Sequence, residues 1–133
     1  IRTVRDDRYR LVWNLNPMAE YKNNAMTMDF FKSMEAAAES GEWHANEYVN
    51  RYKFRPELEL FDCSEDSLEM NNLARNPEYA KTIDRLKSKL DAWMQDQGDF
   101  GIPTEMDAIY RNARTKGKTK AEIEADWAKR ISK

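Results

Sequence analysis

The sequence predicts an α+β fold: a small antiparallel sheet of about four strands, a long helix laid across one face, and a helical tail. Three observations lead there. The opening stretch "IRTVRDDRYRLVWNLNP" alternates apolar and polar residues, the period of a half-buried strand. The stretch "NPEYAKTIDRLKSKLDAWMQDQGD" carries Tyr79, Ile83, Leu86, Leu90, Trp93 and Met94 as one apolar helical stripe. Strand patterns then give way to helical ones, the order of segregated sheet and helices rather than alternating βαβ units.

Taken in order, Tyr9, Leu11, Trp13 and Leu15 fall on one face of the first pattern, and Arg8, Arg10, Val12 and Asn14 on the other. Residues Arg2 to Arg5 pair with that strand through a short turn at Asp6-Asp7, since aspartate tolerates turn backbone, although the pair lacks the glycine of the best hairpin turns. Pro17 ends the strand. In "TMDFFKSMEAAAESG", Phe30, Phe31, Met34, Ala37 and Ala38 recur at helical spacing and Gly41 sits where a C-terminal cap belongs. The stretch "EWHANEYVNRYKFRPE" reads as loop with an extended segment from Tyr48 to Phe54, and "ELELFD" after Arg55-Pro56 reads as a further strand. Asn76 caps the long helix, Pro77 suits its first turn and Gly98 its end. Ile102-Pro103 breaks the chain. Two helices are expected beyond it, near Thr104 to Arg114 and Thr119 to Ile131. The second opens with Thr119 and Glu122 in capping-box spacing and buries Ile123, Trp127 and Ile131.

Composition narrows function by exclusion. The chain has 133 residues, enough for one compact core with an appended segment. Charged residues are 35% and mean hydropathy is −0.94, yet the hydrophobic share of 41% argues against disorder throughout. Lys plus Arg number 22 and Asp plus Glu 24, a net charge of −2. That balance gives no general electrostatic reason to expect nucleic acid or an anionic membrane as partner, although "RTKGKTK" (114–120) is locally basic. No apolar run approaches the roughly 20 residues of a membrane span. One cysteine makes no internal disulfide and one histidine no histidine-rich metal site. Beginning at Ile1 inside a strand pattern, the chain reads as part of a longer product.

The residues that carry chemistry are few. Cys63 follows a strand and precedes acids, which raise a thiol pKa, so it reads as a small apolar residue at a strand end. Asp62, Glu65, Asp66 and Glu69 lack the spacing and central glycine of a calcium loop, and turn formation explains them more simply. His44 stands alone. Arg2, Arg5, Arg8 and Arg10 crowd one hairpin, where guanidinium forks suit sulfate, phosphate or carboxylate and also suit a solvated strand face. No glycine-rich phosphate loop, nucleophile elbow or metal-binding histidine pair appears.

Read together, three stretches resemble the C-terminal subdomain of type I, formylglycine-dependent sulfatases of the alkaline-phosphatase-like superfamily. "IRTVRDDRYRLVWNLNP" is similar to the family's Arg-x-Val-Arg-x-x-Arg-Tyr-Lys-Leu-Ile hairpin, with Arg10 in the lysine position. "RPELELFDCSEDSLEMNNLA" is similar to its Arg-Pro-x-Glu-Glu-Leu-Tyr-Asp-Leu-x-x-Asp-Pro-x-Glu-x-x-Asn-Leu-Ala signature, through Arg55, Pro56, Glu59, Leu60, Asp62, Asp66, Glu69, Asn72 and Leu73. Leu58, Phe61 and Ser67 depart from it, and Cys63 stands where leucine is usual. The helix that follows continues as the family does. The combination is nearest to heparan N-sulfatase-like members.

The resemblance implies a subdomain over residues 1–101 and a tail over 102–133. It implies a partner, the larger N-terminal catalytic domain of the same protein, which carries the formylglycine, the calcium site and the basic residues around the sulfate. Those motifs are absent from this sequence, so the chain would be inactive alone and no catalytic or metal residue is assigned to it. Arg2, Arg5, His44 and Arg55 are the candidates for the rim of a cleft that takes a sulfated carbohydrate. The location implied is periplasmic, extracellular or lysosomal. A phosphodiesterase or phosphonate hydrolase with the same subdomain, and a free-standing binding module, are the alternatives.

Overall fold

The computed structural model describes residues 1–111 and 115–131. They fall into two compact units, 1–90 and 91–133.

The first unit is built on a three-stranded antiparallel sheet in the order β1-β2-β3, formed by Arg2–Arg5, Tyr9–Trp13 and Leu58–Asp62. The expected turn joins β1 to β2. Asp6 Oδ1 accepts from the Arg8 and Tyr9 amides at 3.0 and 2.7 Å, so one carboxylate closes the hairpin. Its other oxygen accepts from Arg85 at 2.6 Å on α3 (Ala80–Asp96). These bonds hold the Asp6 carboxyl down to about 2, the Tyr9 amide contributing most.

Register fixes the two faces. Val4 lies opposite Leu11, and Leu11 opposite Leu60. Side chains alternate along each strand, so Val4, Tyr9, Leu11, Trp13, Leu58 and Leu60 share one face. Leu86 of α3 seals that face: Leu11, Leu60 and Leu86 are fully buried, with Tyr79 and Ile83 packed around them. Tyr79, Ile83 and Leu86 of the predicted stripe therefore cover the sheet, and Leu90 and Met94 are buried too, whereas Trp93 of the same stripe is exposed. Asn76 caps the helix entrance by accepting from the Glu78 amide at 3.0 Å, ahead of a short 3-10 turn over Pro77–Tyr79.

Two expectations need correction. The sheet has three strands, because the segment expected to be extended, Tyr48 to Phe54, lies almost wholly within the helix α2 (Trp43–Lys53). Its aromatic and β-branched residues favour strands in isolation. Tertiary packing overrides them: Ala45, Val49 and Tyr52 recur at helical spacing, Val49 is buried, and Arg51 and Lys53 complement the dipole in the last turn. α2 packs against α1 (Asp29–Glu39), the helix predicted before Gly41, and Lys53 Nζ bridges to Glu35 at 2.6 Å. Phe31 of α1 is buried with its ring centroid 5.1 Å from that of Tyr52.

In the second unit Ile102-Pro103 starts a helix instead of breaking one. α4 runs over Ile102–Met106 with proline in the first turn, where a missing amide hydrogen costs nothing. A 3-10 turn over Asp107–Tyr110 follows, and residues 112–114 of the expected helix lie outside the described residues. α5 spans Lys120–Ile131 and begins with the predicted capping box, the Thr119 amide donating to Glu122 Oε2 at 2.8 Å and the Glu122 amide to Thr119 Oγ1 at 3.4 Å. Ile123 is buried, whereas the side chains of Trp127 and Ile131 lie outside the described residues.

Candidate functional site

The sheet face turned away from α3 carries Thr3, Arg5, Arg10, Val12, Glu59 and Phe61, the alternate register positions. Alternation alone reads it as a wet face. In the structure Val12 and Phe61 are buried, at 7% and 3% exposure. Between this face, the α1–α2 hairpin and the loop after β3 lies a groove of about 640 Å³.

Arginines define the groove. Arg10, Arg51 and Arg55 line it with Glu59 and Glu69, which leaves one net positive charge. Phe61, which replaces the tyrosine of the family pattern, sits between two of them: Arg10 and Arg51 each place a guanidinium 5.9 Å from its ring centroid. Arg10 also pairs with Glu69 at 2.7 Å, and its Nε is a buried donor with no partner among the described residues. Arg51 reaches from α2 to the loop and donates to the carbonyl oxygens of Met70, at 2.5 Å, and Glu69. Arg55 lies over the Tyr21 ring at 3.8 Å, with Tyr52 5.9 Å away. The mouth is apolar: Phe30, Tyr48, Leu68 and Met70 line the groove and are 56%, 44%, 80% and 40% exposed.

The signature residues hold this arrangement. Asn72 works as a one-residue strand against β3. Its Oδ1 accepts from the Leu60 and Ala74 amides at 3.0 and 2.9 Å, and its Nδ2 donates to the Leu58 carbonyl at 3.2 Å. The Leu73 amide donates to the Leu60 carbonyl at 2.8 Å. Together they pair the Leu60 amide and carbonyl and the Leu58 carbonyl along the outer edge of β3. Asp62 accepts two bonds from Arg8, at 2.9 and 2.6 Å, and two from Ser64. The Arg8 guanidinium is the main reason its carboxyl sits at about 2. Asp66 caps the Asn71 amide at 2.7 Å, which lowers its pKa. Glu69 adopts φ of 54°, a left-handed backbone unusual for a non-glycine residue. Arg51 on its carbonyl and Arg10 on its carboxylate hold it there. Pro56 and Glu59 accept from Asn14 Nδ2 at 2.7 and 2.9 Å.

Of the rim candidates, Arg55 lies in the groove, in company with Arg10 and Arg51, which the sequence did not single out together. Arg5 stands beside Arg10 in the β1–β2 register but does not line the groove. Arg2 lies at the start of β1, on the face turned toward α3, and donates to the Ile1 carbonyl at 3.0 Å. His44 is exposed on the first turn of α2, stacked on Trp43 with ring centroids 3.8 Å apart. Cys63 is half-buried just past β3, its amide donating to the Arg8 carbonyl at 2.8 Å. Among the described residues no three His, Cys, Asp or Glu side chains are placed to hold a metal ion. No described helix is long and apolar enough to cross a membrane.

The hairpin, the β3 strand with its Asn72 edge and the long helix are built from the three stretches in which the sequence resembles sulfatases. The comparisons agree. No family model matches the chain. It is 33% identical over 117 residues to an ulvan-active sulfatase of Formosa agariphila, covering 84% of this chain and 19% of that protein. A second ulvan-active sulfatase of the same bacterium is 30% identical over 112 residues, with 77% and 20% covered. Human N-sulphoglucosamine sulphohydrolase is 28% identical over 104 residues, with 74% and 20% covered. The chain is thus a sulfatase-related region, and it spans about a fifth of the length of the curated relatives it matches.

Proposed function

We propose that the chain is the non-catalytic C-terminal part of a sulfatase acting on a sulfated glycan, packed on a catalytic domain and bordering its substrate cleft. One observation carries this reading. Similarity runs through 74–84% of the chain in two ulvan-active sulfatases and an N-sulphoglucosamine sulphohydrolase, each named for a carbohydrate or sugar substrate. The sequence signature supports the C-terminal placement, since it maps onto residues that build β3 and its sealed edge. In this division of labour formylglycine supplies the nucleophile and calcium offsets sulfate charge, both in the catalytic domain. The residues of this chain position and orient, with Arg55 the rim candidate that lies in a groove.

The test is sulfate release by the full-length protein from ulvan oligosaccharides and from N-sulphated glucosamine oligosaccharides, with the present chain assayed alone beside it. The expected result is turnover of at least one substrate by the full-length protein and none by the isolated chain. Hydrolysis of phosphate diesters or phosphonates in place of sulfate esters would move the assignment to that branch of the superfamily.

A further inference from the structure

We infer that the groove lined by Arg10, Arg51 and Arg55 is a subsite for a sulfated sugar unit of the polysaccharide; its identity as a sugar rests on the sulfatase reading.

The charge arrangement points to an anion. Arg10 has a carboxylate partner in Glu69 and Arg51 feels the charge of Asp66, but Arg55 has no ion pair to a described residue. Arg51 spends two of its five N–H donors on the Glu69 and Met70 carbonyls, which fix the fork in place and leave three donors over. Arg55 makes no hydrogen bond to a described residue and is carried on the faces of Tyr21 and Tyr52. A guanidinium held on aromatic faces keeps its charge and its edge donors available to a tetrahedral oxyanion. Next to these cations, the exposed Tyr48 supplies ring surface of the kind that packs on the apolar side of a sugar. A groove of about 640 Å³ is of ligand-pocket size.

Both positions and walls come from one element pair. Arg51 and Tyr52 are adjacent in α2, Tyr48 lies one turn earlier, and Arg55 follows directly where the chain leaves α2 for β3. The α2 helix, missed in the sequence, is what brings them together.

The competing occupant is another part of the same polypeptide, which would use the exposed Leu68 and Met70. The experiment separates the two. Arg55→Gln and Tyr48→Ala are made in the full-length protein and compared with the wild type. Calorimetry measures binding of an ulvan oligosaccharide and its chemically desulfated counterpart, and kinetics compare the sulfated oligosaccharide with a small aryl sulfate. The expected result is a dissociation constant about tenfold higher in each variant, with kcat/KM for the oligosaccharide falling about tenfold relative to that for the aryl sulfate. Unchanged oligosaccharide binding, or equal binding of the desulfated sugar, would overturn the inference. So would a parallel fall with both substrates together with a lowered Tm, the mark of a seat for another polypeptide segment. A wild-type protein that releases no sulfate yet binds the oligosaccharide in an Arg55-dependent way would remove the sulfatase reading and leave the subsite standing.

Discussion

The two faces of one small sheet are held by different physics. Toward α3, Leu11, Leu60 and Leu86 lie wholly out of water, and the contact is hydrocarbon on hydrocarbon. Toward α1 and α2, Phe61 lies between two guanidiniums and the second layer is tied down by Arg51 on backbone carbonyls and Arg10 on Glu69. The first face is non-directional and tolerates little loss of volume. The second is directional and wet at its mouth. The difference teaches that the stability of the sheet and the groove it presents rest on separate residues, so one can be altered without the other.

The largest effect belongs to the dry face. Leu86→Ala should destabilise the protein by about 3 kcal/mol, seen in urea unfolding as a lower midpoint with an unchanged slope, because it leaves a cavity among fully buried side chains. A loss below about 1 kcal/mol would mean the faces are not so unequal. Next comes the sheet edge: Asn72→Ala removes three hydrogen bonds to backbone groups and should cost about 2 kcal/mol by the same measurement.

The acid limb comes third. Asp6 and Asp62 both titrate at about 2 in the folded chain, below the ordinary carboxylate value of about 3.9 in an unfolded one. The unfolded state therefore takes up protons first as pH falls. Their contribution is complete above pH ~4 and is lost as pH drops toward 2. Asp62→Asn should flatten the decline of thermal midpoint between those limits, and an unchanged slope would show that Arg8 does not hold Asp62 in solution.

The smallest expected change is at Glu69. Glu69→Gly relieves a left-handed backbone, worth about 1 kcal/mol, and forfeits a half-exposed pair with Arg10 worth up to about 1 kcal/mol. The two nearly cancel, so the midpoint should hold within the error of the scan while the groove loses an acidic wall.

The same contrast explains what could be read from the sequence. The dry face was legible because hydrocarbon burial leaves a periodic trace: Leu11 in a period of two, and Ile83, Leu86 and Leu90 along one side of a helix. The clip at Asp6, the cap at Asn76 and the box at Thr119 were legible because each acts within a few residues. The wet face was not. Arg10, Arg51 and Arg55 meet through α2, whose Tyr48, Val49 and Tyr52 read locally as strand and become helical through contacts with Phe31 and Glu35 far along the chain. The polar half of the alternation, Arg8 to Asn14, hid a second buried layer because guanidinium stems cover apolar rings while counting as charged. The period-three spacing of Ala45, Tyr48 and Arg51 was the available signal.

The edge closed by Asn72 and Leu73 has one more consequence. A sheet grows by presenting unpaired amides and carbonyls, and on the β3 side the central ones, at Leu58 and Leu60, already bond to Asn72 and Leu73. Among the described strands, β1 is the one with no strand on its outer side and no such cover from Asn72 and Leu73. The sheet is thus a template with a direction. A strand added to it, by its own polypeptide or by a stranger, would find Asn72 and Leu73 in its way beside β3 and no described strand on the outer side of β1.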